Sequence, residues 1–396
     1  MRIGIDYTAA ARQGGGIGRY ARELVGAILA QPSPHTFKLM AATAKLGPRW
    51  TQEQARLRQV AAAPERLRFR ALPLTDDWMA RLWQRLRLPL PAELITGSLD
   101  LFYAPDFVLP PLRPRTYALL TVHDLSFLRH PATFTEALHR YLTQAVPRSV
   151  ARADHIFADS EATRQDLITL LDVPAEKVTV LYSGVSARFI TSNEHREEAP
   201  KARNRLQEKY GIGARPYILS VGTVQPRKNY VRLMQACDPL IHNHPLDLVI
   251  VGHPAWKAEP ILAAAAERPY VHMLGFTDDE DLPALYRQAI LFAYPSLYEG
   301  FGIPPLEAMA CDTPVVASAA SSVPEVVGDA GLLVDPLDVP AWTEALAQVL
   351  MDEELRMTLT HRGHARVRTF TWRNAAQRWL TTVEKHVKPL HGPLHP

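Results

Sequence analysis

Short runs in which nearly every residue is apolar alternate along this chain with longer stretches in which apolar residues recur every three or four positions. The first pattern is that of a strand buried on both faces, the second that of a helix showing one face to a core. In the first half the apolar runs fall at residues 2–7, 37–41, 101–104, 117–122, 155–158 and 178–181. In the second half they fall at residues 217–222, 248–252, 271–274, 291–294, 315–317 and 331–334. Strands alternating with helices predict an α/β chain whose sheets are parallel and covered on both faces. Two such series predict two Rossmann-like, doubly wound halves facing a central cleft, alike in plan without a visible sequence repeat.

Between the two series, residues 186–215 are dense in charge and poor in periodic apolar positions, which marks a boundary. The predicted domains are therefore 1–190 and 191–370, with a short helix over 201–210. The amphipathic segment TWRNAAQRWLTTVEKHV, starting at Thr371, predicts a helix that returns to the first half. Residues 371–396 thus form a helix and a loose tail, KPLHGPLHP from Lys388 onward. A chain of 396 residues is long enough for two ordinary cores.

Composition narrows the classes. A formal charge of +3, with no Cys/His finger spacing and no RNP-like aromatic motif, argues against nucleic acid as a partner. Cys237 and Cys311 lie far apart in apolar helical stretches, so buried thiols in a reducing compartment are expected rather than a disulfide. No run of 18 apolar residues occurs and MRIGIDYTAA leads straight into a strand, so neither a membrane span nor a signal peptide is expected, and the expected location is cytoplasmic. The charge is unevenly spread, however: residues 45–87 hold ten Lys or Arg against four Asp or Glu. Within them DWMARLWQRLRLPL places Trp78, Leu82, Trp83 and Leu86 near one helical face, beside Arg81 and Arg85. Two readings stand: an interfacial helix on an anionic membrane, peripheral on its inner face, or a packed helix with a solvated edge.

In open parallel sheets ligands bind beyond the carboxyl ends of the strands, so residues just after the strands are the candidates for chemistry. In GGGIGRY, residues 14–20, Gly15 and Gly16 allow close backbone approach and open a helix whose start favours anions. The alternatives are a plain flexible loop, or a dinucleotide site. The dinucleotide reading is weakened because the glycines do not follow the strand directly and no Asp or Glu occurs in residues 34–46. In ALLTVHDLSF, His123 follows a strand as a substrate contact or as part of a structural His-Asp turn. In VGTVQPRKN, Gly222 ends a strand while Arg227 and Lys228 precede a helix, suiting a diphosphate or forming a solvated basic turn. In YPSLYEGFGIPPLEAMACDTPVV, residues 294–316, Glu299 lies in a loop, Gly300 and Gly302 free the backbone, and Pro304 and Pro305 suit a first helical turn at Ile303. Glu307 sits one turn in, either binding a diol or complementing the helix dipole.

Glu299 and Glu307, with seven residues between them within YEGFGIPPLEAMACDTPVV and preceded by TVHDLSF and GTVQPRKN, resemble the retaining glycosyltransferase family 4, of GT-B architecture, over nearly the whole chain. The resemblance implies a nucleotide-sugar donor held mainly by the second half. Glu307 would take the ribose, Glu299 would lie near the sugar, and Arg227 and Lys228 would hold the diphosphate. It implies His123, Glu299, Arg227 and Lys228 as catalytic, with Gly15, Gly16, Gly222, Gly300, Phe301, Gly302, Ile303 and Glu307 lining the donor. The wording of HDLSFLRHP, SEATRQDL and LYSGVSARF is similar to bacterial mannosyltransferases that use GDP-mannose in surface polysaccharide synthesis. The acceptor implied is a saccharide or lipid-linked saccharide, and UDP-glucose is the alternative donor. No D-x-D motif occurs in the first half, so a metal-independent enzyme without a cofactor is expected. Rival readings are a nucleotide-sugar epimerase, a phosphorylase carrying pyridoxal phosphate, and a non-catalytic binding subunit.

Overall fold

The computed structural model of the protein describes residues 1–387 apart from 13–14, 45, 76–77, 80, 87, 191–198, 243 and 279. The first series of apolar runs forms β1 (Arg2–Asp6), β2 (Thr36–Ala42), β3 (Leu67–Leu72), β4 (Leu101–Ala104), β5 (Tyr117–Val122), β6 (His155–Ala158) and β7 (Val178–Val180). They pair in the order β3-β2-β1-β4-β5-β6-β7, every pair parallel. The second series forms β8 (Tyr217–Val221), β9 (Asp247–Val251), β10 (Val271–Gly275), β11 (Leu291–Tyr294), β12 (Val315–Ser318) and β13 (Gly331–Val334). Their order is β10-β9-β8-β11-β12-β13, again parallel throughout. The strand order reverses between β1 and β4 in one sheet and between β8 and β11 in the other, and at such a reversal the loops diverge and leave a crevice.

β3 has no counterpart in the sequence reading, for a physical reason. It is an edge strand with only Leu67 buried, so LRFRAL reads as charged and alternating, unlike the uninterrupted apolar runs of the central strands.

The chain divides into two units. Unit 1 comprises Met1–Leu125, Arg140–Gly184 and the chain from Trp372, and unit 2 comprises Ser126–His139 and Val185–Thr371. The change at Gly184 falls earlier in the chain than the boundary at 190 read from charge density, and Ser126–His139 is an excursion that charge density does not mark. Part of the charged stretch, residues 191–198, and the tail from residue 388 lie outside the described residues. In unit 1 the helix Trp372–His386 buries Trp372, Ala375, Ala376, Trp379 and Val383, a stripe at three- and four-residue spacing, and packs on the helix Gly16–Leu29.

Cys237 and Cys311 are both free and buried, and the Cys311 thiol donates to the Phe189 carbonyl at 3.1 Å. The segment around Trp78 is not the amphipathic helix expected. Its regular part is a single π-helical turn, Arg81–Arg85, with Trp78 50% and Leu86 63% exposed and Met79 turned into the core. Lys45, Asp76, Asp77, Arg87 and the Arg85 side chain lie outside the described residues. Among the described residues no helix is long and apolar enough to cross a membrane.

Candidate active site

In unit 2 the loops following β8 and β11, the strands either side of the reversal, are joined by hydrogen bonds. The Leu297 amide donates to the Arg227 carbonyl at 2.9 Å. The Asn229 side-chain amide donates to the carbonyls of Pro295 at 3.0 Å and Pro336 at 2.7 Å. Asn229 itself is left-handed at φ 60°, the residue that turns the short 3₁₀ segment Pro226–Lys228 into the helix Tyr230–Ile241. Gly222, at φ 155°, lies under Lys228: a Cβ there would stand 3.1 Å from Lys228 Cε and 3.1 Å from the Tyr230 hydroxyl. Glycine is required where lysine crosses the strand end.

This framework brings three charged groups together. Glu299 accepts from Lys228 Nζ at 2.6 Å and pairs with an Arg227 guanidinium nitrogen at 2.9 Å. Arg227 also donates to the Tyr298 carbonyl. Lys228 Nζ reaches the Tyr294 hydroxyl at 3.2 Å and lies 5.1 Å from the centre of that ring. Burial alone would raise the Glu299 pKa, but the Arg227 and Lys228 charges outweigh it, and the group is held at about 2. Glu299 is therefore a carboxylate at any ordinary pH. With its 7% exposure it is a weak base and a poor nucleophile, because both oxygens already face cations.

The loop at Glu299 is held by residues that follow β12. The Glu299 amide donates to Ser321 Oγ at 2.7 Å, and Ser322 Oγ donates to the carbonyls of Glu299 and Phe301, each at 2.9 Å. Gly302, at φ 104°, caps the helix Ile303–Ala310 without any side-chain cap. Pro304 and Pro305 carry no N–H, so the backbone donors near this helix start reduce to Gly302, Ile303 and Leu306. Glu307 is 1% exposed and its Oε2 accepts from the Tyr286 hydroxyl at 3.0 Å.

In unit 1, His123 follows β5 and is buried. Its Nδ1 lies 2.7 Å from Asp159 Oδ2 and its Nε2 3.1 Å from the Pro105 carbonyl. Tyr20 and Phe107 stand edge-on to the ring at 4.8 and 5.3 Å. Burial pulls the imidazole pKa down, but the Asp159 carboxylate more than offsets it and raises the value to about 9. An imidazolium donating from both nitrogens fits these partners. His123 is thus held by Asp159, and a substrate contact through Nε2 has to replace the Pro105 carbonyl.

Gly15 caps the helix Gly16–Leu29 with extended backbone, and a Cβ at Gly15 or Gly16 would meet nothing within 4 Å. Packing in unit 1 therefore does not require glycine at either position. The site residues absent from the sequence reading are Asp159, Tyr286, Tyr294, Tyr298, Ser321 and Ser322. Asp159 directly follows β6, and Ser321 and Ser322 come shortly after β12. The rule that singled out the other loops reaches these three as well.

Two sequence families match the chain: one described as glycosyltransferase family 4 over residues 14–189, and one described as glycosyl transferases group 1 over residues 202–366. The O-antigen chain mannosyltransferase B of Escherichia coli is 34% identical over 290 residues, covering 72% of this chain and 74% of that protein. The serotype-specific mannosyltransferase WbdA of Escherichia coli is 34% identical over 233 residues, 57% of this chain but only 28% of that longer protein. Sucrose-phosphate synthase from Thermosynechococcus elongatus superposes with a TM-score of 0.73 at 20% identity, covering 97% of this chain and 98% of that one. At that identity the likeness speaks for the fold, the GT-B class with its two Rossmann-like units.

Proposed function

The chain belongs to glycosyltransferase family 4, and from that premise we propose that it is a retaining hexosyltransferase moving mannose from GDP-mannose to a saccharide or lipid-linked saccharide in surface polysaccharide synthesis. The observation that carries the reading is the Arg227–Lys228–Glu299 cluster at the strand reversal of the six-stranded sheet. Two cations, Lys228 buried and Arg227 mostly so, held by one carboxylate are a preorganised seat for a diphosphate, with no reorganisation left to do when charge develops. The mannose donor is proposed from the likeness to O-antigen chain mannosyltransferase B.

In this reading the bond from the anomeric carbon to the diphosphate breaks, and its electron pair leaves on the phosphate oxygen facing Arg227 and Lys228. The acceptor hydroxyl bonds to the same face of that carbon, and its proton passes to a phosphate oxygen of the leaving group. Glu299 holds the cations and the sugar rather than attacking, because a carboxylate held at a pKa of about 2 by two cations is a poor nucleophile. Glu307 anchors the ribose, Gly222, Gly300, Phe301, Gly302 and Ile303 line the donor, and His123 contacts the sugar, with Gly15 and Gly16 leaving room for the ligand. The positive charge needed comes from Arg227, Lys228 and the helix start at Ile303, so we propose a reaction that needs no metal. UDP-glucose is the alternative donor. A second reading, favoured by the exposed Trp78 and Leu86 beside Arg81, adds a peripheral contact with an anionic membrane.

The test is thermal shift with GDP-mannose, UDP-glucose and ADP-glucose, followed by acceptor-dependent release of the nucleoside diphosphate. A ligand at about 100 times its Kd stabilises by roughly 2.7 kcal/mol. GDP-mannose is expected to give the largest shift, and equal shifts from all three would refute the donor assignment. Lys228→Ala should lose turnover by about two orders of magnitude, the usual loss when a transition-state donor is removed. Glu307→Gln should weaken the nucleotide chiefly. Wild-type turnover in both variants would refute the site.

A further inference from the structure

The segment Ser126–His139 belongs to unit 2 although the chain on either side of it belongs to unit 1. Three contacts clamp it there. The Trp256 indole N–H donates to the Thr133 carbonyl at 2.8 Å, Lys257 Nζ to the Ala132 carbonyl at 2.6 Å, and Phe134 stacks on Trp256 with ring centres 5.7 Å apart and planes 24° apart. Lys257 adopts a left-handed φ of 55° at this clamp. What it fixes is the 3₁₀ turn Pro131–Thr133, and with it the residue just before, His130.

The His130 ring lies against Tyr298, with centres 5.7 Å apart. Tyr298 is the residue whose carbonyl Arg227 grips and which directly precedes Glu299. Neither ring nitrogen of His130 hydrogen-bonds to a described residue, although the ring is half-buried. Burial first, then the guanidinium groups of Arg227 and Arg129, hold this imidazole below its ordinary value. The charged groups acting on it are Arg227, on the loop after β8, and Arg129 on its own segment, with Lys257 at the clamp; Lys228 and Glu299 neighbour Arg227 on the loops after β8 and β11. Glu299 is the carboxylate among them, and it is already shared between Arg227 and Lys228. An imidazole with unused nitrogens beside cations is missing an anion rather than a base.

We propose that His130 is a further donor-binding residue: held against Tyr298 by the Trp256 clamp, it hydrogen-bonds a phosphate oxygen of the nucleotide sugar seated on Arg227 and Lys228. This rests on the donor-site reading above. Burial first, and the guanidinium charge of Arg227 and Arg129 after it, keep His130 neutral; a phosphate oxygen accepting from the ring and offsetting the Arg227 charge counters both, so the imidazole takes up a proton as the donor binds. The sign follows by linkage: the bound complex holds the proton more tightly than the free protein. Affinity therefore rises as pH falls from the bound-state pKa toward the free-state pKa, which lies below 6.5, and levels off beneath it.

The experiment is calorimetric titration of the full chain with GDP-mannose, and with UDP-glucose in parallel, from pH 7.5 to pH 5.5. Both are diphosphate diesters that do not themselves titrate in that window. Wild type is expected to bind roughly threefold or more tighter at pH 6 than at pH 7.5, with proton uptake that depends on the buffer. His130→Phe, which keeps a ring against Tyr298, should bind more weakly with the pH slope gone, and His130→Gln should recover part of the affinity but not the slope. Should His130→Phe, with an unchanged Tm, keep the wild-type Kd and slope, the proposal is overturned. Should wild type bind neither nucleotide sugar while Lys228→Ala matches it, the donor-site reading fails and takes this proposal with it.

Discussion

His123 and Glu299 are both buried and ion-paired, and they tie stability to pH from opposite sides. The His123 pKa is raised from 6.5 to about 9, so the stability it contributes is fully present below pH 6.5 and is lost as pH rises through 9. The Glu299 pKa is lowered from 4.5 to about 2, so its contribution is present above pH 4.5 and is lost as pH falls through 2. Urea unfolding followed across pH should show wild type losing stability between pH 6.5 and 9, and His123→Gln should flatten that limb. A limb of unchanged slope in His123→Gln would place the charge elsewhere. Glu299→Ala leaves the buried Lys228 and the partly buried Arg227 without their carboxylate and is expected to cost about 3–5 kcal/mol. At this scale sequence reading located His123, Glu299, Arg227 and Lys228 because each follows a strand. It did not pair them: Asp159 lies 36 residues from His123, and Lys228 lies 71 from Glu299.

Secondary-structure elements set which glycines matter. Gly252 ends β9 at φ 154°, and a Cβ there would stand 2.0 Å from the Gly222 carbonyl oxygen, on the neighbouring strand end that carries Lys228. Gly252→Ala should lower Tm and donor affinity together, because the displaced backbone is the floor under Lys228. Gly16→Ala is the contrasting case. It lies in the first turn of a helix with open space around it, so the protein should keep its stability or gain up to about 1 kcal/mol. A loss of turnover at full stability would then show that the glycine serves ligand approach. A fall in Tm for Gly16→Ala, or none for Gly252→Ala, would reverse these assignments. Central strands were legible because burial on both faces leaves an uninterrupted apolar run. The edge strand β3 and the π-turn at Arg81–Arg85 were not, since their patterns depend on which neighbours cover them.

For the whole molecule, the uneven surface charge has one measurable consequence. Trp78, Leu86, Leu88, Leu90 and Leu94 are exposed in a stretch where Arg81 sits 5.2 Å from the Trp78 ring. If this is a lipid contact, the protein should co-sediment with phosphatidylglycerol vesicles at low salt, less so at high salt, and weakly after Trp78→Ala. No co-sedimentation at low salt would remove the membrane from the picture. Periodicity and strand-end position, both local properties of the chain, were enough to determine two parallel-sheet units and the loops that carry Glu299, Glu307, Arg227 and Lys228, while the glycosyltransferase class came from the resemblance of the motifs in those loops to a known family. Tertiary structure decided what depends on long-range contact: that Glu299 is already neutralised by its two cations, that His123 is satisfied by Asp159 and Pro105, and that Ser126–His139 is carried into unit 2 to set His130 against Tyr298. The reason is physical. Burial and hydrogen bonding between segments far apart in sequence set those charges and positions, and no local pattern encodes which distant segment will arrive.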